Sequence, residues 1–378
     1  MTTGDLRRRL EAFARGEGLE FISPASLINE VDETSFNYSV EEPILRRYGD
    51  YFRFPAPWSF STIQPCVRPA DLGRLQRGKN TWRLSLFEMG VVDYELSPVR
   101  EDARSLHQRA IERFWQFCVE TVGLDPDQLR VSYFAGGRIP HLDNSASDAE
   151  AALSADSVTP ETFRMLGLAD EHLCAQADLD TFLLTFPIPS DFWAGYRFEV
   201  FAVAEHSSEL VEIGTGEALT WRCVKKGDRL RALEPGPGCV VAFAVGIERL
   251  LAVQSGLRSV YDTDVIAPLH RRLCEMTSEG DTVNTRALTD ALRACHMIVA
   301  DGGTFETLNR RRRKHFRAYL RTVDTLSRKS HLPVDALKSC WEMNAALQPW
   351  HHRLAGSIDA VAGQLIGYRG RKKAQSVE

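Results

Sequence analysis

Four runs that read as strands follow one another between residues 179 and 245, with no helical stretch between them. They are LDTFLLTFPIP, YRFEVFAVAE, SELVEIGTGEAL and GCVVAFAV, rich in aromatic and β-branched residues. Parallel strands need a long crossover, usually a helix, between them, whereas antiparallel strands need only turns. Strands bunched in this way argue for an antiparallel sheet over a doubly wound one. Residues 59–68, SFSTIQPCVR, and 83–93, RLSLFEMGVVD, read as two further strands. The polar stretch PADLGRLQRGKNTW lies between them, so the pair predicts a hairpin with a long loop carrying Arg74, Arg77 and Lys79.

Helical periodicity marks other stretches. Residues 4–17 space Leu6, Leu10 and Phe13 along one face and stop at Gly16 and Gly18. Residues 101–123 align Leu106, Ala110, Phe114, Phe117 and Cys118 on one stripe. GCVVAFAV runs directly into GIERLLAVQSG, and from residue 267 onward the signals are helical, broken at Gly280, Gly302-Gly303 and Pro333. Residues 136–157 are small, polar and acidic, which suits a surface insertion. The expected class is α+β: an antiparallel sheet flanked by helices over residues 1–266, then an all-α domain over 267–378.

The net charge of −5 conceals two halves of opposite sign. Residues 267–378 hold 19 Lys/Arg against 11 Asp/Glu, so the remainder is strongly acidic. A basic helical region on an acidic body suits an anionic partner, and nucleic acid is the commonest large one; solvated helix surfaces are the plain alternative. No apolar run reaches the roughly 18 residues of a membrane span, and the N-terminus lacks a secretory apolar stretch. The eight cysteines are scattered, with no CxxC and no zinc-finger spacing, which fits free thiols in a reducing cytoplasm.

No P-loop, GxGxxG fingerprint, HExxH or GxSxG occurs, which removes the commonest nucleotide-binding and hydrolase readings. What remains is a set of arginines at strand ends. Cys66-Val67-Arg68, a basic loop and Phe87-Glu88-Met89 resemble motif 2 of the class II aminoacyl-tRNA synthetases in its alanine form, C-x-R followed by F-F-E-M. Val245-Gly246-Ile247-Glu248-Arg249-Leu250, followed by Tyr261-Asp262-Thr263-Asp264, is similar to motif 3 of that family. Asp191-Phe192-Trp193 resembles its N-F-W, Val211-Glu212-Ile213 its I-E-I-W-N, and Arg293 through Arg310 the start of its tRNA-recognition helices. The matches keep the family's order from about residue 6 to 325.

The resemblance implies a ligase that joins an amino acid to AMP, using ATP and Mg2+, and transfers it to tRNA in the cytoplasm, as in protein biosynthesis. It implies that Arg68 contacts the α-phosphate and substrate carboxylate, and that Arg249 holds the γ-phosphate side of a bent ATP. Phe87, Glu88 and Met89 would form the adenine slot, with Arg83, Gly246 and Glu248 beside the nucleotide. Trp193, Thr215, Ala242 and Ala244 would meet the amino acid, and Glu212 and Glu199 would hold magnesium. Arg293, Arg310, Arg311, Arg313 and Arg317 would contact nucleic acid. Elementary chemistry supports the arginines independently. Adenylation builds negative charge on phosphoryl oxygens, and planar, permanently charged guanidinium groups stabilise it.

Two departures from the family stand out. Its motif 3 opens D-T-G-M-G, with the Asp expected to pair with the substrate's ammonium, whereas here the stretch is Ala242-Phe243-Ala244-Val245-Gly246. Glu205, Glu209 and Glu217 are possible substitutes for that carboxylate. The family also continues through an editing domain, which the sequence to Glu378 does not show. Three functions stay open: an alanine-type synthetase charging tRNA, a ligase passing the acyl group to a carrier protein or small-molecule acceptor, and a non-catalytic tRNA-binding paralogue. Neither DNA nor a membrane is an expected partner.

Overall fold

The computed structural model describes residues 1–28, 36–40, 42–48, 54–78, 81–138, 152–177, 181–184, 192–226 and 229–375. The chain enters through α1 (Thr3–Gly16), which a Thr2–Asp5 capping box starts and whose Leu6, Leu10 and Ala14 are buried. A short strand β1 (Glu20–Phe21) and helix α2 (Glu42–Tyr48) lead to the hairpin β2 (Trp58–Val67) and β3 (Leu86–Ser97). The stretch between these strands, expected as a loop, contains a helix, α3 (Pro69–Leu75), with Pro69 in its first turn and Leu72 and Leu75 buried. Lys79 lies outside the described residues. Helix α4 (Ala103–Trp115) continues through a π turn to Thr121, so the single predicted helix is a helix and a wider last turn.

Strand β4 (Leu129–Phe134) and the small ribbon of β5 (Gly137–Arg138) with β6 (Ala152–Leu153) flank the acidic insertion, of which 139–151 lie outside the described residues. Helix α5 (Val158–Met165) and strands β7 (Leu173–Gln176) and β8 (Phe182–Leu184) follow. The three long strands come next: β9 (Phe192–Val203), β10 (Leu210–Lys226) and β11 (Arg229–Gly246). Nine strands form one sheet, in the order β1-β2-β3-β11-β10-β9-β4-β7 with β8 also on β9. Among the described residues only the β1–β2 and β4–β7 pairs are parallel; the strand order thus follows the antiparallel rule.

One face of the sheet packs on α1, α4 and α6 (Ile247–Gln254), burying Phe114, Phe198, Phe243 and Leu250. The other face is open over its centre. Gly214 and Gly216 explain the flat middle. A Cβ on Gly214 would meet the Phe243 ring at 2.9 Å and one on Gly216 the Phe198 ring at 2.0 Å, so bare backbone lets both rings lie beneath the open face.

The C-terminal helices are α7 (Ala267–Thr277), α8 (Val283–Ala300), α9 (Arg310–Lys329), α10 (Val334–Leu347), α11 (Arg353–Gly356) and α12 (Ile358–Gln375). Helix α8 is buried on nearly all sides and forms their core with Phe316, Tyr319 and Trp341. That core also takes in Val67, Leu72 and Leu86, so the helices rest on the ends of β2 and β3. None of the eight cysteines forms a disulfide. Among the described residues, no helix is long and apolar enough to cross a membrane.

Candidate active site

Strand pairing brings the motif residues to one place. Cys66 pairs with Phe87, Met89 with Gly246, and Ala244 with both Val91 and Thr215. Arg68, just past the end of β2, and Arg249, in the first turn of α6, line a single open cavity. Phe87, Met89, Thr215, Ala244, Gly246 and Glu212 line it with them. Its walls therefore come from β2, β3, β10, β11 and α6.

Each arginine is aimed by backbone. The Arg68 guanidinium lies 4.9 Å from the Phe87 ring centroid and donates through Nε to the Tyr38 carbonyl at 3.3 Å. Arg249 donates through Nε to the Trp82 carbonyl at 2.9 Å and through Nη1 to the Glu212 carbonyl at 3.0 Å. The Glu212 carboxylate stands 3.4 Å from the same nitrogen. Both guanidinium groups remain partly exposed, which suits groups that exchange water for phosphate oxygens.

Alternation along β3 splits the expected adenine slot. Phe87 and Met89 face the cavity; the Glu88 side chain does not line it and is buried. Its carboxylate binds Arg7 at 2.6 Å and His351 at 2.8 Å. Burial alone would raise its pKa, but Arg7 and His351 outweigh burial and hold it at about 2. Glu248 is buried at the cavity's inner wall and accepts the Glu88 backbone N–H at 3.1 Å. Burial pushes its carboxyl up to about 7, against the pull of Arg293 3.7 Å away.

Arg293 is thus placed differently from the expected nucleic-acid contacts. It is 1% exposed within the core, donating to the Leu86 carbonyl at 3.2 Å, where no phosphate reaches it. The surface of α9 carries Arg310, Arg311, Lys314, Arg317 and Arg321, all exposed, while Arg313 is half-buried and donates to the Leu308 carbonyl at 2.8 Å.

Of the expected amino-acid contacts, Thr215 and Ala244 line the cavity. Trp193 and Ala242 do not: both are buried in a cluster with Tyr94 and Leu219, and Trp193 stacks on Phe54 at 6.2 Å. A large indole flanked by apolar rings gains more from burial than a pocket wall would give it. Asp191 lies outside the described residues. Arg83 and Arg74 both pair with Asp71, at 2.6 and 3.2 Å, and Arg77 is exposed.

The expected magnesium pair is also divided. Glu212 lines the cavity, but Glu199, buried on the same sheet face, does not: it is paired with Arg197 at 2.6 Å and accepts the Thr215 hydroxyl. No cluster of three or more His, Cys, Asp or Glu among the described residues could hold a metal. Glu212 alone fits a cation whose other oxygens come from phosphates and water; Glu199 in this position does not.

Sequence reasoning missed several residues. Arg197 lines the cavity, and the alternation that turns Glu199 away from Phe198 should have placed it there. Arg7 and His351, distant in sequence from each other and from Glu88, left no local signal. Tyr261 to Asp264 take structural positions: Tyr261 is buried, and the Asp264 carboxylate accepts the Thr3 N–H at 3.1 Å, tying down α1.

An antiparallel sheet thus brings two guanidinium groups to the walls of one cavity. No protein-family profile matches the chain. The mitochondrial alanine–tRNA ligase of Saccharomyces cerevisiae is 27% identical over 266 residues, covering 64% of this chain and 24% of that protein. The alanine–tRNA ligase of Porphyromonas gingivalis is 24% identical over 327 residues, covering 80% of this chain and 34% of its own length. That of Treponema pallidum is 27% identical over 316 residues, covering 78% and 47% respectively. A solved pyrrolysyl-tRNA synthetase of Desulfitobacterium hafniense overlays 68% of this chain and 71% of its own at TM-score 0.35 and 11% identity, too loosely to add to the fold assignment. The chain is thus similar in sequence to alanine–tRNA ligases and spans between about a quarter and a half of the length of these curated relatives.

Proposed function

We propose that the chain activates a carboxylic acid with ATP, forming an acyl-adenylate and pyrophosphate. The observation that carries this reading is the convergence of Arg68 and Arg249 on one cavity. A substrate carboxylate oxygen attacks the α-phosphorus. The bond from that phosphorus to the bridging oxygen breaks, and pyrophosphate takes the electron pair. No proton moves in this step, so the protein needs no general base. Its task is positioning and charge stabilisation. Arg68, held over Phe87, meets the α-phosphoryl oxygens and the attacking carboxylate. Arg249, lining the same cavity, meets the departing end. The adenine lies between Phe87 and the Arg249 stem. A magnesium ion at Glu212, when bound, offsets pyrophosphate charge.

The alanine–tRNA ligase relatives and the exposed basic face of α9 support tRNA as acceptor, the backbone phosphates meeting Arg310, Arg311 and Arg317. Ala242 in place of the expected Asp favours a second reading, a ligase serving a carrier-protein or small-molecule acceptor.

Pyrophosphate exchange across a panel of acids tests the first step, and charging of total tRNA separates the acceptors. Arg249→Ala is expected to lower exchange by about 10²–10³-fold with an unchanged unfolding transition. Near-wild-type exchange in that variant would remove Arg249 from the mechanism.

A further inference from the structure

We propose that the acid this cavity activates carries a second carboxylate, which Arg197 on β9 recognises; the inference rests on the adenylating reading above. Arg197 lines the same cavity as Arg68 and Arg249, at the end away from the Phe87 wall. Its guanidinium is held by two glutamates that flank it on the same sheet face. Glu199 holds Nη2 at 2.6 Å, and Glu217 stands 3.9 Å from Nε. Neither glutamate lines the cavity, so the group presented there is the cation. Burial pushes the Glu199 carboxyl up, against the pull of Arg197. The 2.6 Å contact holds the Arg197 guanidinium in place before any acid binds.

The floor between the two ends is small. Ala244 and Gly246 of β11 lie between Met89, which Arg68 touches, and Thr215, which shares Glu199 with Arg197. Two inter-strand steps and a two-residue offset along β11, roughly 12 Å together, separate Met89 from Thr215. That span takes a short acid whose one carboxylate meets Arg68 and whose other meets Arg197. The carboxylates that do line the cavity are engaged elsewhere: Asp71 by Arg83, Glu212 by Arg249, and Glu248 by Arg293. An alanine-like substrate would set its ammonium or methyl group against a guanidinium, leaving like charges or an unmatched polar group in contact. A carboxylate there makes a charge-assisted, forked pair with a side chain already ordered before binding.

The test is pyrophosphate exchange with alanine, glycine, propionate, aspartate, glutamate, succinate and glutarate. An acid with two carboxylates is expected to give the highest kcat/KM, at least about tenfold above alanine. Arg197→Gln should raise the KM of that acid by about 10–100-fold while the KM of ATP stays put. Because Arg197→Gln strands buried Glu199, the double variant Arg197→Met/Glu199→Gln serves as a second form with both charges removed. Alanine, glycine or propionate as best substrate overturns the inference while leaving adenylation intact. An unchanged acid KM in a folded variant overturns it as well. Absence of exchange with every acid removes the adenylating reading and this inference with it.

Discussion

The cavity face of β3 and α6 and the buried face of the same two elements are made by alternate residues of the same motifs, and they do opposite things. Phe87, Met89 and Arg249 meet the cavity. Glu88 and Glu248, each next to one of them in sequence, hold the C-terminal helices: Glu88 through His351 and Glu248 through Arg293. The cavity-face arginines are partly exposed and held chiefly by backbone carbonyls, whereas the core groups are charged, buried and paired. A run of consecutive motif residues therefore need not share one task. Half of it presents charge to a substrate, and the other half fastens a helical region to the strands that do so.

The largest effect is expected where the two faces should separate most sharply. Arg68→Ala removes a guanidinium that, among the described residues, touches Phe87, Met89 and the Tyr38 carbonyl. Exchange activity should fall about 10³-fold, ~4 kcal/mol of transition-state stabilisation, while the urea midpoint barely moves. A matching loss of stability would mean that the cavity face is structural too, and the division drawn here would fail.

The buried face should behave the other way. Arg293→Met leaves Glu248 without its cation and Leu86 without a donor in a dry core. Stripping one partner from a buried pair costs about 3–5 kcal/mol. Glu248 already sits near pH 7 and can take up a proton, so ~3 kcal/mol is the expected loss in urea unfolding. Residual exchange measured on the folded fraction should stay within about tenfold of wild type. Loss of all exchange with an unchanged midpoint would return Arg293 to the substrate side.

This division also shows what was legible in the sequence. Periodicity gave the antiparallel sheet, α1, α4 and the helical C-terminal region, because each depends on spacing within a single element. Arg68 and Arg249 could be found because they stand at strand or helix ends inside recognisable motifs. The helix inside 69–82 was hidden by its polar composition, its burial being confined to Asp71, Leu72 and Leu75. Trp193 was assigned to a pocket and Arg293 to a surface because side-chain chemistry suits both settings, and only packing decides between them. The clamp of Arg7 and His351 on Glu88 joins residues 81 and 263 positions apart, a contact that no local pattern encodes.

The smallest effect probes Glu248, which borders both faces. Its carboxyl is held near 7 in the folded chain, burial being the main cause, against an ordinary value of 4.5. Folding therefore favours the protonated form. The corresponding stabilisation is complete below pH 4.5 and is lost as the pH climbs through 7. Glu88, held at about 2, works in the opposite sense, but its contribution is constant above about pH 5.5. Asp93 and Glu199, raised to about 7 and about 8, slope the same way as Glu248. Glu248→Gln should thus make the decline of stability from pH 5.5 to 8 shallower without abolishing it. The difference should be on the order of 1–2 kcal/mol across that window. Urea midpoints taken at half-unit intervals read it directly. Parallel curves for variant and wild type would mean that Arg293 keeps Glu248 ionised throughout, and that the pair acts as a fixed strut rather than a titrating one.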